Sequence, residues 1–253
     1  MGSGTTCASL ASAGLIINSG GSCSGAAGNL TFTPAAALSA SGFGPITVDG
    51  GAKLTLAPGT YNIDSIYTTG GGWVAMNAST GSIALNTNEI DLTGSNSLAI
   101  SNSNPVTMNV YNGLGASSGV TIGNGVTMAL SGSSLVTMNI APAVATPLTL
   151  TGAFSNLNSS GAPVPANLQI LYGGTGPISL EGGAACAAVV YAPGAPISVP
   201  GGTSFYGSLI GSTVNDANGA AIYYDTQLQS VHIGGVVATV QPYMMDSFSW
   251  ARF

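Results

Sequence analysis

Between Asn104 and Ile140 the chain alternates apolar and polar residues in three short runs. They are Val106-Thr107-Met108-Asn109-Val110, Val126-Thr127-Met128-Ala129-Leu130 and Val136-Thr137-Met138-Asn139-Ile140. Alternation with period two is the signature of a half-buried strand, so Val, Met and the closing aliphatic share one face while Thr and Asn or Ala share the other. Turn-forming clusters separate the runs: Asn112-Gly113, Gly123-Asn124-Gly125 and Ser131-Gly132-Ser133-Ser134. Upstream, Ser82-Ile83-Ala84-Leu85, Glu89-Ile90-Asp91-Leu92 and Ser97-Leu98-Ala99-Ile100 repeat the grammar. Short alternating strands separated by recurrent turns predict an all-β parallel β-helix, a right-handed solenoid whose coils stack about 4.8 Å apart. An antiparallel β-sandwich shows the same spacing and is the alternative. A Val- and Met-rich interior with few aromatics suits the narrower solenoid.

The N-terminal third is less regular. Leu15-Ile16-Ile17-Asn18 reads as a short strand, Pro34-Ala35-Ala36-Ala37-Leu38 as a helical turn, and Gly44 to Gly51 as strand and turn. Ala153 to Pro165 reads as an excursion, because strand grammar resumes at Leu168. The expected organisation is an added start at residues 1–4 and a single β-helical domain over 5–253, with no signal peptide at its beginning.

Composition narrows the function. Lys53 and Arg252 are the only Lys or Arg residues, against eight Asp and Glu and one His. Nucleic acid needs a basic patch that such a chain cannot build, and phosphate groups or anionic lipid surfaces are disfavoured for the same reason. The strongest apolar run, Ala184 to Ala192, is far short of the roughly 20 residues that span a bilayer. Solubility must come from Ser, Thr, Asn and Gly, which favour turns and strands over helix. This neutral polar style points to an extracellular bacterial surface protein.

Candidate chemistry is sparse. Cys7 and Cys23 are spaced for a disulfide that would close an N-terminal loop and contribute about 3 kcal/mol, the alternative being two unpaired thiols. Cys186 lies in an apolar run and reads as a small buried hydrophobe, and the sole histidine, His232, sits in a distant alternating segment. Of the carboxylates only Glu89 and Asp91 are close neighbours on one strand face, and they read as solvated charge. No metal-ligand spacing, phosphate loop or nucleophile elbow appears, so neither metal nor cofactor is expected, and no catalytic residue is assigned. Thr107, Thr127 and Thr137 would form a flat outward ladder on stacked coils, the arrangement an ice-binding β-helix uses. Tyr67, Trp73, Tyr223 and Tyr224 are the aromatics available for carbohydrate contact.

Two regions carry a resemblance. One is Leu56-Ala57-Pro58-Gly59-Thr60-Tyr61. The other joins Val189-Val190-Tyr191-Ala192-Pro193-Gly194-Ala195-Pro196, Phe205-Tyr206-Gly207-Ser208 and Ala221-Ile222-Tyr223-Tyr224-Asp225-Thr226-Gln227-Leu228. This order, with the ending Ser249-Trp250-Ala251-Arg252-Phe253, resembles the C-terminal secreted domain of bacterial PilX-type or Tad (Flp, TadG-like) pilus-associated proteins. The resemblance covers Leu15 to Phe253 and lacks the family's N-terminal apolar helix, so the chain would be the soluble part. It implies a β-helical domain displayed outside the membrane, with pilus or cell-envelope proteins, glycans or further copies of itself as partners. It implies no catalytic mechanism. In its motifs Pro193 and Pro196 are expected to set a rigid turn, Gly207 a tight turn or close backbone approach, and Asp225 a turn that accepts backbone hydrogen bonds. The expected function is an extracellular structural or adhesive module without catalysis; ice binding and a polysaccharide-active β-helix enzyme are the alternatives.

Overall fold

The computed structural model describes residues 45–230 except 50, 95–96, 112–117, 159, 182–185, 203 and 217–218, together with two strands at 15–17 and 29–32. The Cys7–Cys23 pair, the turn at 34–38, His232 and Arg252 lie outside the described residues. The strands in the first half are β1 (Leu15–Ile17), β2 (Asn29–Phe32), β3 (Ile46–Val48), β4 (Lys53–Leu56), β5 (Gly59–Thr68), β6 (Trp73–Ala78), β7 (Ile83–Leu92), β8 (Ser97–Asn102) and β9 (Val106–Val110). The second half continues with β10 (Ser118–Ile122), β11 (Thr127–Gly132), β12 (Val136–Ile140), β13 (Thr146–Leu150), β14 (Ala153–Asn156) and β15 (Leu168–Tyr172). It ends with β16 (Ile178–Leu180), β17 (Cys186–Val199), β18 (Ser204–Asp216) and β19 (Ala221–Tyr223). Short 3-10 turns lie at Pro165–Asn167 and Thr226–Ser230.

All pairings between these strands are parallel. One sheet of six runs β14-β11-β8-β6-β4-β2. The other contains a closed circuit of eight strands, β7-β10-β13-β16-β17-β15-β12-β9 and back to β7, with β5, β3 and β1 extending it on one side and β18 and β19 on the other. Two long strands close the circuit. Ile83–Thr87 of β7 pairs with β9, while Ile90–Leu92 of the same strand pairs with β10. Likewise Val189–Tyr191 of β17 pairs with β15, and Ile197–Ser198 with β16.

This closure corrects the expected right-handed β-helix, and the uniformly parallel pairing corrects the antiparallel sandwich. The sequence pattern misled at two identifiable places. Ile83–Leu85 and Glu89–Leu92 read as separate strands because Asn86-Thr87-Asn88 looks like a polar break. Thr87 instead points inward, buried, and its hydroxyl donates to the Asp64 and Glu89 carbonyls at 3.2 and 3.1 Å, so the strand runs on. Pro193 and Pro196 likewise set no turn: β17 passes through both, with only a register shift between Ala192 and Pro196.

The alternation within the short runs holds. Val106, Met108 and Val110 are buried and Thr107 and Asn109 half-buried, and Val136 to Ile140 repeats the pattern. Register stacks like on like. Leu54, Val74, Leu98, Met128 and Phe154 form one column in the six-stranded sheet. Leu85, Met108, Met138, Ile170 and Val190 form another in the circuit. Both columns belong to one continuous core, where burying each large side chain contributes roughly 1.5–3 kcal/mol. Ala153 to Asn156, expected to be loop, forms β14 and ends the first column with Phe154.

Polar side chains stack as well. Asn62, Asn86, Asn109 and Asn139 occupy successive strands in register. Each Nδ2 donates to the Oδ1 of the preceding asparagine at 2.8 Å, from Asn139 to Asn109, Asn109 to Asn86 and Asn86 to Asn62. An amide carries both donor and acceptor, so it satisfies an identical neighbour where a like-charged pair would repel.

Candidate functional site

The outward residues fall into columns on different sheets. Thr107 and Thr137 are register neighbours, flanked by Ala84 and Gln169, with Gln169 buried. Thr127 is in the other sheet, between Ser97 and Ala153. The three threonines therefore share no face, because the 126–130 run belongs to a different sheet from the runs on either side of it.

A second outward column runs Thr47, Tyr67, Asp91, Thr121, Thr149 and Ser179. The Tyr67 hydroxyl donates to Glu89 Oε2 at 2.8 Å. The Ser65 hydrogen bond lowers the Tyr67 phenol, but partial burial, the Glu89 hydrogen bond and charge, and the Asp64 charge outweigh it and push the phenol up. Burial, then the Glu89 charge, hold the Asp91 carboxyl above its usual range, and its buried Oδ1 has no hydrogen-bond partner. The Glu89–Asp91 pair thus differs from plain solvated charge. Among the described residues no group of three or more His, Cys, Asp or Glu converges as a metal site.

Cys186 is buried, and burial pushes its thiol up to about 12. So suppressed a thiolate makes it a poor nucleophile. Tyr61 of the Pro-Gly-Thr-Tyr motif is buried too; its hydroxyl donates to the Ala57 carbonyl at 2.8 Å, and burial raises it to about 12. Trp73 is exposed on the six-stranded sheet beside Lys53.

The aromatic side chains converge at the C-terminal strands. Tyr206 and Tyr223 are register partners on β18 and β19, and parallel neighbours lie about one strand spacing apart. Their rings accordingly stack, with centroids 4.8 Å apart and planes within 15°. Tyr223 is 51% exposed and Tyr224 58% exposed, so large aromatic faces meet solvent. The rings, Asp225 and Thr226 line a groove of about 260 Å³ together with Pro163 and Pro165, whose segment supplies its proline wall.

Two residues hold the proline wall in place. Asn156, buried at the end of β14, donates Nδ2 to the Val164 carbonyl at 2.6 Å and to the Ala187 carbonyl at 3.0 Å. This pins the chain just before Pro165 to the start of β17. Gly207 lies opposite, with φ of +135°. A side chain there would run into the Ala188 carbonyl oxygen and stand 3.0 Å from Pro165 Cβ. The expected close approach at Gly207 is therefore what lets the 3-10 turn sit against β18. The expected turn at Asp225 is also present, through its carbonyl, which accepts from the Leu228 amide at 3.0 Å. Tyr223 and Tyr224 were legible in the sequence as aromatics; Tyr206, Pro163, Pro165 and Asn156 were not singled out, because only register and the return of the excursion bring them together.

The family model described as Domain of unknown function (DUF7305) matches residues 35–231, and the chain belongs to that family. No curated protein and no solved structure matches it.

Proposed function

We propose that this chain is an extracellular, pilus- or cell-surface-associated structural and adhesive module that works by contact and not by catalysis. The observation that carries the reading is the stacked Tyr206–Tyr223 pair with exposed Tyr224 in a groove also lined by two prolines. Aromatic faces beside a few polar groups suit the CH faces and hydroxyls of a sugar. Charge paucity across the chain leaves an uncharged ligand as the natural one, and the neutral ladders give a rigid support. The resemblance to pilus-associated domains supports surface display.

A polysaccharide-active enzyme would rest on Glu89 and Asp91, since glycoside hydrolysis uses two carboxyls and that of Asp91 is held above its usual range by burial and the Glu89 charge. Release of reducing ends that disappears in Glu89→Gln would favour that reading over ours. The direct test of display is immunogold labelling of cells that carry the parent protein. Labels along surface filaments or the outer envelope support the proposal, and label confined to the cytoplasm refutes it.

A further inference from the structure

The asparagine ladder ends at a second groove, whose Tyr191 pairs with Ile210, further along β18 than Tyr206. Asn139 donates to Asn109, but its register neighbour on the other side is Leu171, followed by Tyr191 and Ile210. Leu171 offers no side-chain donor, so the Asn139 carbonyl Oδ1 ends a chain of three aligned amide bonds. Bonds in such a chain polarise one another, which makes the terminal acceptor stronger than a lone amide. Asn139 lines a groove of about 450 Å³ with Pro142, Leu171, Gly173, Tyr191 and Pro193. Tyr191 is 39% exposed there. No lining residue is charged.

We propose that this groove is a second binding site for an uncharged glycan strand, distinct in its lining from the tyrosine-pair groove. A sugar ring lies over Tyr191 and Pro193, and a hydroxyl donates to Asn139 Oδ1. The size falls within the range of small-ligand sites, and the lining, mostly apolar with one directed acceptor, matches a pyranose that shows CH groups on its face and O–H groups at its rim. An anionic sugar has no cation to meet here, which restricts the ligand class to neutral chains.

The experiment uses the full chain carrying Tyr206→Ser and Tyr223→Ser, so that binding at the first groove is removed. Cellohexaose is titrated into this protein and followed calorimetrically. Saturable binding is expected; adding Tyr191→Ser should weaken it about tenfold, adding Asn139→Leu should weaken it severalfold, and Tyr191→Phe should leave it near the starting value. Each variant's urea midpoint is measured alongside, and only variants that retain cooperative unfolding are compared. The proposal is overturned by absence of saturable binding, by affinity indifferent to Tyr191→Ser, or by a decaproline peptide binding where cellohexaose does not.

Discussion

Removing one amide from the asparagine ladder tests whether register carries polar stability here as it does apolar stability. Asn109 makes two ladder bonds, accepting from Asn139 and donating to Asn86, whereas Asn139 makes one. Each such bond contributes about 0.5–1.5 kcal/mol net, so Asn109→Ala should cost about 2 kcal/mol and Asn139→Ala about 1 kcal/mol. Asn86 also makes two bonds, one of them shared with Asn109. The double variant Asn86→Ala/Asn109→Ala therefore loses three bonds, not four, and its cost should fall short of the sum of the single costs by about 1 kcal/mol. Urea unfolding followed by circular dichroism, with linear extrapolation, resolves these differences. Equal costs for Asn109→Ala and Asn139→Ala, together with strict additivity in the double variant, would refute the ladder as an energetic unit.

Other consequences follow from single positions. Gly207→Ala should destabilise by roughly 1–3 kcal/mol, because a positive φ and the Ala188 carbonyl both oppose a side chain, and a melting temperature unchanged from wild type would contradict this. Cys186 should ignore a thiol reagent at pH 8 until urea unfolds the chain, since a thiol near 12 is about one part in ten thousand thiolate there; rapid labelling of the folded protein would argue against the burial described. Asp91 has its native carboxyl raised above the ordinary value of 3.8, so the folded state holds its proton more tightly than the unfolded one. Stability should then fall as pH rises from 3.8 through the native value and stay lower above it. Asp91→Thr should raise the urea midpoint at pH 7, and the gain should vanish in acid; a midpoint lowered at pH 7 would sink that reasoning.

The sequence carried the strand content and the inward–outward alternation because period two is a local property. Val106, Met108, Val136 and Met138 are buried as their pattern predicts. Which strand lies beside which is non-local, and there the pattern was silent. Met128 has the same local context as Met108 and Met138, yet it stacks on Leu98 and Phe154 in the other sheet. Nor does alternation show that a polar triplet such as Asn86-Thr87-Asn88 stays in a strand, since its stability there depends on carbonyls brought to Thr87 from β5 and from β7 itself. The same limit applies to the site. Tyr223 and Tyr224 could be picked out by type, whereas the stacking of Tyr206 and the proline wall pinned by Asn156 arise only from register and chain return.

The central claim is that exposed tyrosines on a neutral parallel framework make a contact surface for glycans. A glycan array probed with the full chain and with Tyr206→Ser/Tyr223→Ser tests it most directly. The account predicts retention on uncharged glycans, little on sulfated or sialylated ones, partial loss in the double variant, and further loss when Tyr191→Ser is added. Retention that tracks anionic glycans, or that survives both substitutions together with Tyr191→Ser, would contradict it.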